Sequence, residues 1–276
     1  MISRLADILV LKPSRHPVPA VGLSRKLIRF GNERIEVWWR RADSRAADRA
    51  DSAPDVYILK LVGAGGRAEC VTAYPFDFWD DLITEVWAVN PPGFGGSSGR
   101  ASLSTWDKAA QAVFDEIAKV ADEKPIMIMA NSLGTAAALS IAARREVAGL
   151  ILRNPPPLRE LIMGKYGWWN MGLGARLVAS QVPRALDSIR LAKACRMPAI
   201  FISSAQDQTV PNSYQEQVRT VYAGPQQHLI LSEAGHNTPM TVHETVEFYR
   251  HLSWLRDQIL PQRSDSQSVR LTVHQP

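Results

Sequence analysis

The sequence predicts an α/β fold, a mostly parallel central sheet with helices on both faces. Two observations carry that expectation. Residues 124–138 open with a short apolar run, turn at Ala130-Asn131-Ser132-Leu133-Gly134, and pass into an alanine-rich helical run at 136–145. Further short apolar runs at 55–62, 84–90, 147–152, 197–203 and 227–231 read as strands, each followed by a loop of Gly, Pro, Asn, Asp or Ser. At 276 residues the chain holds one large α/β domain or two small ones, and a hydrophobic share of 46% excludes wholesale disorder.

The elements follow in order. Residues 1–22 form an N-terminal segment. Its first eleven residues alternate charge with an apolar face of Ile2, Leu5, Ile8 and Leu9, too short and interrupted for a signal peptide or a membrane span. This amphipathic helix either packs on the domain or touches a membrane surface. Packing is favoured, because such helices in soluble proteins bury the apolar face internally. The main domain spans 23–260. Strands at 23–30 and 33–40 are joined by Gly31-Asn32, a hairpin signal. Residues 42–54, rich in Arg, Asp and Ala and without an aromatic, read as a surface excursion.

The strand at 55–62 runs into Gly63-Ala64-Gly65-Gly66, and the strand at 84–90 into Pro91-Pro92-Gly93-Phe94-Gly95-Gly96-Ser97. Ser104 with Asp107 reads as a capping-box-like helix start, with Ala109, Ala112, Val113, Ile117 and Val120 on one face. Asn154-Pro155-Pro156-Pro157 ends the strand at 147–152, since proline cannot continue it. Residues 158–194 are helical in places, carry four glycines, and include Trp168-Trp169. A helix over 239–260 closes the fold, and the polar stretch 261–276 reads as a disordered tail.

Charge and cysteines narrow the function. The net charge of +5 is spread thinly, with no basic stripe for nucleic acid. Cys70 and Cys195 lie far apart with no metal-type spacing, which fits a reduced, cytoplasmic compartment.

The chemistry gathers at strand ends. A strand that becomes a helix within two residues forces the residue at the bend toward positive φ, with small residues two before and two after it. Ala130 and Gly134 meet that demand and leave Ser132 at the tip, near backbone N–H groups and the positive end of the helix dipole. The competing reading is that Ser132 only caps the helix. The loop at 63–66 lacks the G-K-[ST] ending of a P-loop and the glycine spacing of a dinucleotide fingerprint, so its N–H groups are free to face a cleft. Asp207 and His236 also follow strands. A serine hydroxyl needs a base to take its proton, and a histidine base needs a carboxylate to hold its tautomer. His228 falls in a strand, His243 in a helix, and His16, His251 and His274 in terminal segments. Asp207 in such a turn also reads as an Asx-turn.

The elbow 130–134, the Pro92-Gly93-Phe94-Gly95-Gly96-Ser97 loop, the Ser132–Asp207–His236 order and the Ala234-Gly235-His236-Asn237 motif together resemble the α/β-hydrolase superfamily, over roughly 23–260. Within it the chain is similar to serine hydrolases with small caps. The resemblance implies the α/β-hydrolase fold with a small cap at 155–194. It implies Ser132 as nucleophile, His236 as base and Asp207 as its orienting carboxylate. Leu133 and Ala64 N–H would hold the oxyanion, although Val62-Gly63 stands where many members carry His-Gly and any N–H of 63–66 could fill the role. Ser132 in place of Asp argues against dehalogenase and epoxide hydrolase chemistry. The implied substrate is a small-molecule ester or thioester with an apolar acyl group, and no metal or organic cofactor is implied. Trp168 and Trp169 either line the pocket beneath the cap or pack in the core. A peptidase, a perhydrolase and a non-catalytic binding module remain as alternatives.

Overall fold

The computed structural model describes residues 5–41, 52–167 and 172–260. Its sheet has eight strands: β1 (Ser24–Phe30), β2 (Glu33–Arg41), β3 (Val56–Leu61), β4 (Thr84–Asn90), β5 (Ile126–Asn131), β6 (Gly149–Arg153), β7 (Ala199–Ser204) and β8 (Gln226–Leu231). Their spatial order is β1-β2-β4-β3-β5-β6-β7-β8. Gly31, at φ 59°, turns the β1–β2 hairpin, and β2 pairs antiparallel with β4. Every pairing from β4 through β8 is parallel. Parallel strands covered on both faces read as continuous apolar runs, and all residues of β4 and β7 are buried.

The helices are α1 (Leu5–Val10), α2 (Leu103–Ala121), α3 (Leu133–Ala142), α4 (Leu158–Tyr166), α5 (Leu173–Ser180), α6 (Ser188–Ala192), α7 (Asn212–Arg219) and α8 (Val242–Ile259). One core cluster lies between the sheet and α2, α3, α6 and α7. On the other face α8 and the 3-10 turns Ala68–Cys70 and Phe76–Phe78 flank a second cluster holding Phe76, Trp79, Phe248 and Leu252. All ten residues of α3 are buried. That explains its alanines, because only small side chains let a helix lie this close to its neighbours. Residues between β6 and β7 form α4, α5, a 3-10 turn and α6; Leu191 and Ala192 of α6 belong to the main core.

Three expectations move. The N-cap of α2 is Ser102, whose hydroxyl accepts Ser104 N–H, so the start lies two residues before the Ser104–Asp107 pattern. Asp107 turns inward and accepts from Gln111 Nε2 at 2.7 Å; burial pushes its carboxyl up, opposed by Ser140 and Arg144. The buried stripe of α2 runs through Trp106, Ala110, Val113, Phe114 and Ile117, leaving Val120 exposed. The closing helix begins after Thr241, where Thr241 and Glu244 form a reciprocal capping box.

The N-terminal segment packs on the domain. Ala6 and Leu11 are buried, while Leu5, Ile8 and Leu9 are exposed. Residues 12–16 then form a strap: Lys12 N–H donates to Ala64 C=O (2.9 Å), Gly95 N–H to Ser14 C=O (2.9 Å), and Arg67 Nη1 to His16 C=O (2.8 Å). Beneath it lies a buried polar network. Asn90 Nδ2 donates to Glu36 and Glu69, each at 2.7 Å, and its Oδ1 accepts Ala68 N–H. Burial pushes the Glu36 carboxyl up, but Gly96 N–H, Asn90 and Arg25 outweigh that and hold it below its usual value. Among the described residues no helix is long and apolar enough to cross a membrane. Trp168, Trp169, residues 42–51 of the expected excursion and the 261–276 tail lie outside the described residues.

Candidate active site

Ser132 sits between β5 and α3 at φ 51° and ψ −125°, a strained backbone for a residue with a Cβ. The local sequence makes the bend feasible. A Cβ on Gly134 would lie 2.3 Å from Leu61 C=O, so only glycine lets α3 approach β3 this closely. Ser132 N–H is tied to Arg153 C=O (2.9 Å) and its C=O accepts Thr135 N–H (2.9 Å), which fixes the bend from both sides. Its side chain makes no cap hydrogen bond to α3, so the capping reading fails.

Asp207 follows β7 and His236 follows β8. His236 Nδ1 and Asp207 Oδ2 are 2.6 Å apart. Asp207 Oδ1 accepts Thr209 N–H (2.8 Å) and Val210 N–H (2.9 Å). The Asx-turn and the histidine contact are therefore both present, one on each carboxylate oxygen. With Nδ1–H donated to a carboxylate, the imidazole lone pair belongs to Nε2. Ser132 and His236 line one cavity of about 500 Å³. Among the described residues no hydrogen bond joins His236 Nε2 to Ser132 Oγ.

The loop after β3 borders the same cavity. Gly63 packs on the serine, where a Cβ would come within 3.2 Å of Ser132 Cβ. Gly66 N–H closes a turn on Gly63 C=O at 3.0 Å. Ala64 and Gly65, at the centre of that turn, and Leu133, first in α3, have N–H groups without partners among the described residues. Three donors therefore border the cavity beside the serine, all of them candidates for one negatively charged oxygen. The apolar part of the wall comes from Leu9 and Val10 of α1 and from Leu158, Leu161 and Ile162 of α4, and Lys12, Lys165, Thr209 and Asn237 add polar groups to it.

Residues that carry no signature in the sequence complete the arrangement. Asn154, fully buried at φ 51°, donates to His236 C=O (3.0 Å) and accepts Ser204 N–H (3.0 Å). Arg153 Nη2 donates to Thr238 C=O at 2.5 Å. Gln215 Nε2 reaches Asp207 Oδ2 (3.4 Å) and Val210 C=O (2.7 Å). The Asn154-Pro155 step reads in sequence only as the end of a strand. The other histidines stand apart: His228 lies in β8 with Nε2 3.1 Å from Ser203 Oγ, and His243 and His251 lie in α8.

Known proteins agree with this architecture. The Butyrivibrio proteoclasticus esterase Est1E, solved with ferulic acid, superposes with a TM-score of 0.62 at 16% identity, covering 85% of this chain and 99% of that one. The Pyrococcus furiosus esterase Pf2001 gives 0.61 at 14% identity, covering 91% and 97%. Mouse alpha/beta hydrolase domain-containing protein 10 gives 0.61 at 15%, covering 85% and 99%. The chain has the α/β-hydrolase fold. Two curated Mycobacterium tuberculosis proteins, the uncharacterized proteins MT2364 and Rv2307c, are each 29% identical over 150 residues, 53% of this chain and 51% of theirs. The chain spans about half the length of the curated relatives it matches. No family model matches the sequence.

Proposed function

We propose that the chain is a serine hydrolase that cleaves a small-molecule ester or thioester with an apolar acyl group. The observation that carries the reading is the 2.6 Å His236–Asp207 contact beside a serine held at positive φ on the same cavity. In this reading His236 Nε2 takes the Ser132 hydroxyl proton as Oγ attacks the carbonyl carbon. Leu133 N–H and Ala64 N–H, or Gly65 N–H, stabilise the negative oxygen of the tetrahedral intermediate. The imidazolium then gives its proton to the leaving alcohol or thiol. A water molecule repeats the sequence on the acyl-enzyme, its proton passing to His236 and on to Ser132. Asp207 keeps the imidazole in one tautomer throughout. The serine–histidine contact is commonly long in an unliganded site and tightens with substrate.

A fluorophosphonate probe tests the assignment. It should label the wild type and fail on Ser132→Ala, and labelling that survives the substitution would remove Ser132 from the role. Turnover of 4-nitrophenyl esters beside a thioester and a peptide anilide separates esterase from peptidase activity.

A further inference from the structure

The cavity carries a charge pattern that ester hydrolysis does not require. Its wall holds two lysines, Lys12 and Lys165, and no aspartate or glutamate among the described residues. Both lysines are exposed residues of the lining, which suits the solvent-facing rim of the cavity. They come from different elements. Lys12 belongs to the strap, and its stem lies along Gly65, whose Cβ position would be 3.4 Å from Lys12 Cβ. Lys165 stands in the last turn of α4, its Nζ 6.0 Å from the Tyr166 ring centroid. Among the described residues neither ammonium has an acidic partner. By contrast, Lys26 and Lys119 share Glu116, and Arg145 is held by Asp115. A cation in the last turn of α4 also complements that helix's own carbonyls, but this does not account for Lys12.

Two cations from different elements, without acidic partners among the described residues, focus a positive potential into the cleft and raise the local concentration of anions. Leu158, Leu161, Ile162 and Val210 of the lining suit an apolar chain. We infer that the substrate carries an anionic group, a phosphate or a carboxylate, which Lys12 and Lys165 hold at the mouth while its carbonyl lies at Ser132. The inference rests on the serine-hydrolase reading and adds the substrate's charge to it.

Two matched pairs of probes test it. 4-Nitrophenyl butyrate against mono-(4-nitrophenyl) glutarate places the anion on the acyl side. S-butyryl-N-acetylcysteamine against S-butyryl-coenzyme A places it on the leaving group. In at least one pair the anionic member should have kcat/KM roughly tenfold above its neutral partner at low salt, as two exposed ion pairs allow. That ratio should shrink toward one at 0.5 M salt, where the screening length is well under 10 Å. In Lys12→Gln/Lys165→Gln the ratio should fall by a similar factor, and in Lys12→Arg/Lys165→Arg it should persist. Ratios near one in both pairs, or a ratio that survives the glutamine pair, overturn the inference and leave the hydrolase reading standing. Absence of turnover on all four probes together with absence of fluorophosphonate labelling overturns the hydrolase reading, and the inference with it.

Discussion

The floor and the roof of the cavity are built on different principles. The floor is Ser132 on its bend, Asp207 and His236 beyond parallel strands, and Gly63 and Gly134 in backbone contact around them. Each position there is set by sterics or by several hydrogen bonds at once. The roof is α1, the strap and α4. It is tied down by isolated bonds, such as Ala6 N–H to Gln181 Oε1 at 3.2 Å and Arg159 Nη2 to Val182 C=O at 2.7 Å. It also leaves Leu5, Ile8 and Leu9 exposed. The difference teaches where change is tolerated. Under the proposed hydrolysis, the floor with its single-residue solutions would fix what reaction is feasible, and the roof would set which molecule enters.

The sharpest way to break the floor is Asp207→Asn. The amide keeps an oxygen for Thr209 and Val210 N–H but stabilises the wrong histidine tautomer, so kcat should fall by about 10⁴ with the fold retained, by analogy with chymotrypsin-type triads. A rate near wild type would show that another carboxylate orients the histidine. Next comes Asn154→Ala. It removes the support of His236 C=O, leaves Ser204 N–H buried and unpaired, and puts alanine at positive φ. Urea denaturation should show a loss of about 2–4 kcal/mol, and kcat should drop with it. A stable variant with unchanged kcat would mean the loop holds itself.

The roof should answer differently. Leu161→Ala removes apolar wall from α4, so the ranking of acyl chain lengths should shift by roughly tenfold in kcat/KM while acetyl esters keep their rate. Loss of rate on every chain length alike would place Leu161 in the support of the chemistry instead. A last effect, on the pH dependence of stability, concerns neither floor nor roof. Lys60 on β3 is half-buried, and desolvation of its amine lowers the ammonium to about 7 against an ordinary 10.5. Its two acceptors, Thr72 C=O and Tyr74 C=O, suit the two protons of a neutral amine. Between pH 7 and 10.5 the unfolded chain holds a proton that the folded chain does not, so stability rises with pH across that window. Lys60→Met should flatten that rise, and an identical slope in both proteins would refute the assignment.

The elbow, the hairpin and the positions of the strands along the chain were legible because they follow from local chain geometry. Ala130, Ser132 and Gly134 show the bend within five consecutive residues, even though the contact that demands Gly134 is with Leu61 on β3, and Gly31-Asn32 announces its turn directly. What escaped depends on distant pairing. Glu36, Glu69 and Asn90 are polar residues of three separate segments, and only the sheet order brings them into one buried network. Asn154 reads as punctuation before proline until β7 and the histidine loop are placed on either side of it. Lys12 becomes cavity wall only because the strap folds back on Ala64. The start of α2 moved because Ser102 and Ser104 are both able to cap, and Leu103 N–H found Asp7 Oδ1 at 2.8 Å.

The turn at 63–66 has an electronic side. Gly63 C=O, in the same peptide unit as Ala64 N–H, accepts Gly66 N–H; Ala64 C=O, in the same unit as Gly65 N–H, accepts the strap's Lys12 N–H. A carbonyl that accepts a hydrogen bond draws electron density from its amide nitrogen and sharpens the N–H on the other side, by about 10–30% per bond. Both neighbouring amides thus reach the cavity already polarised, one from inside the turn and one from the N-terminal strap. The strap's reach then extends past shape to the donor strength of the loop beside the serine.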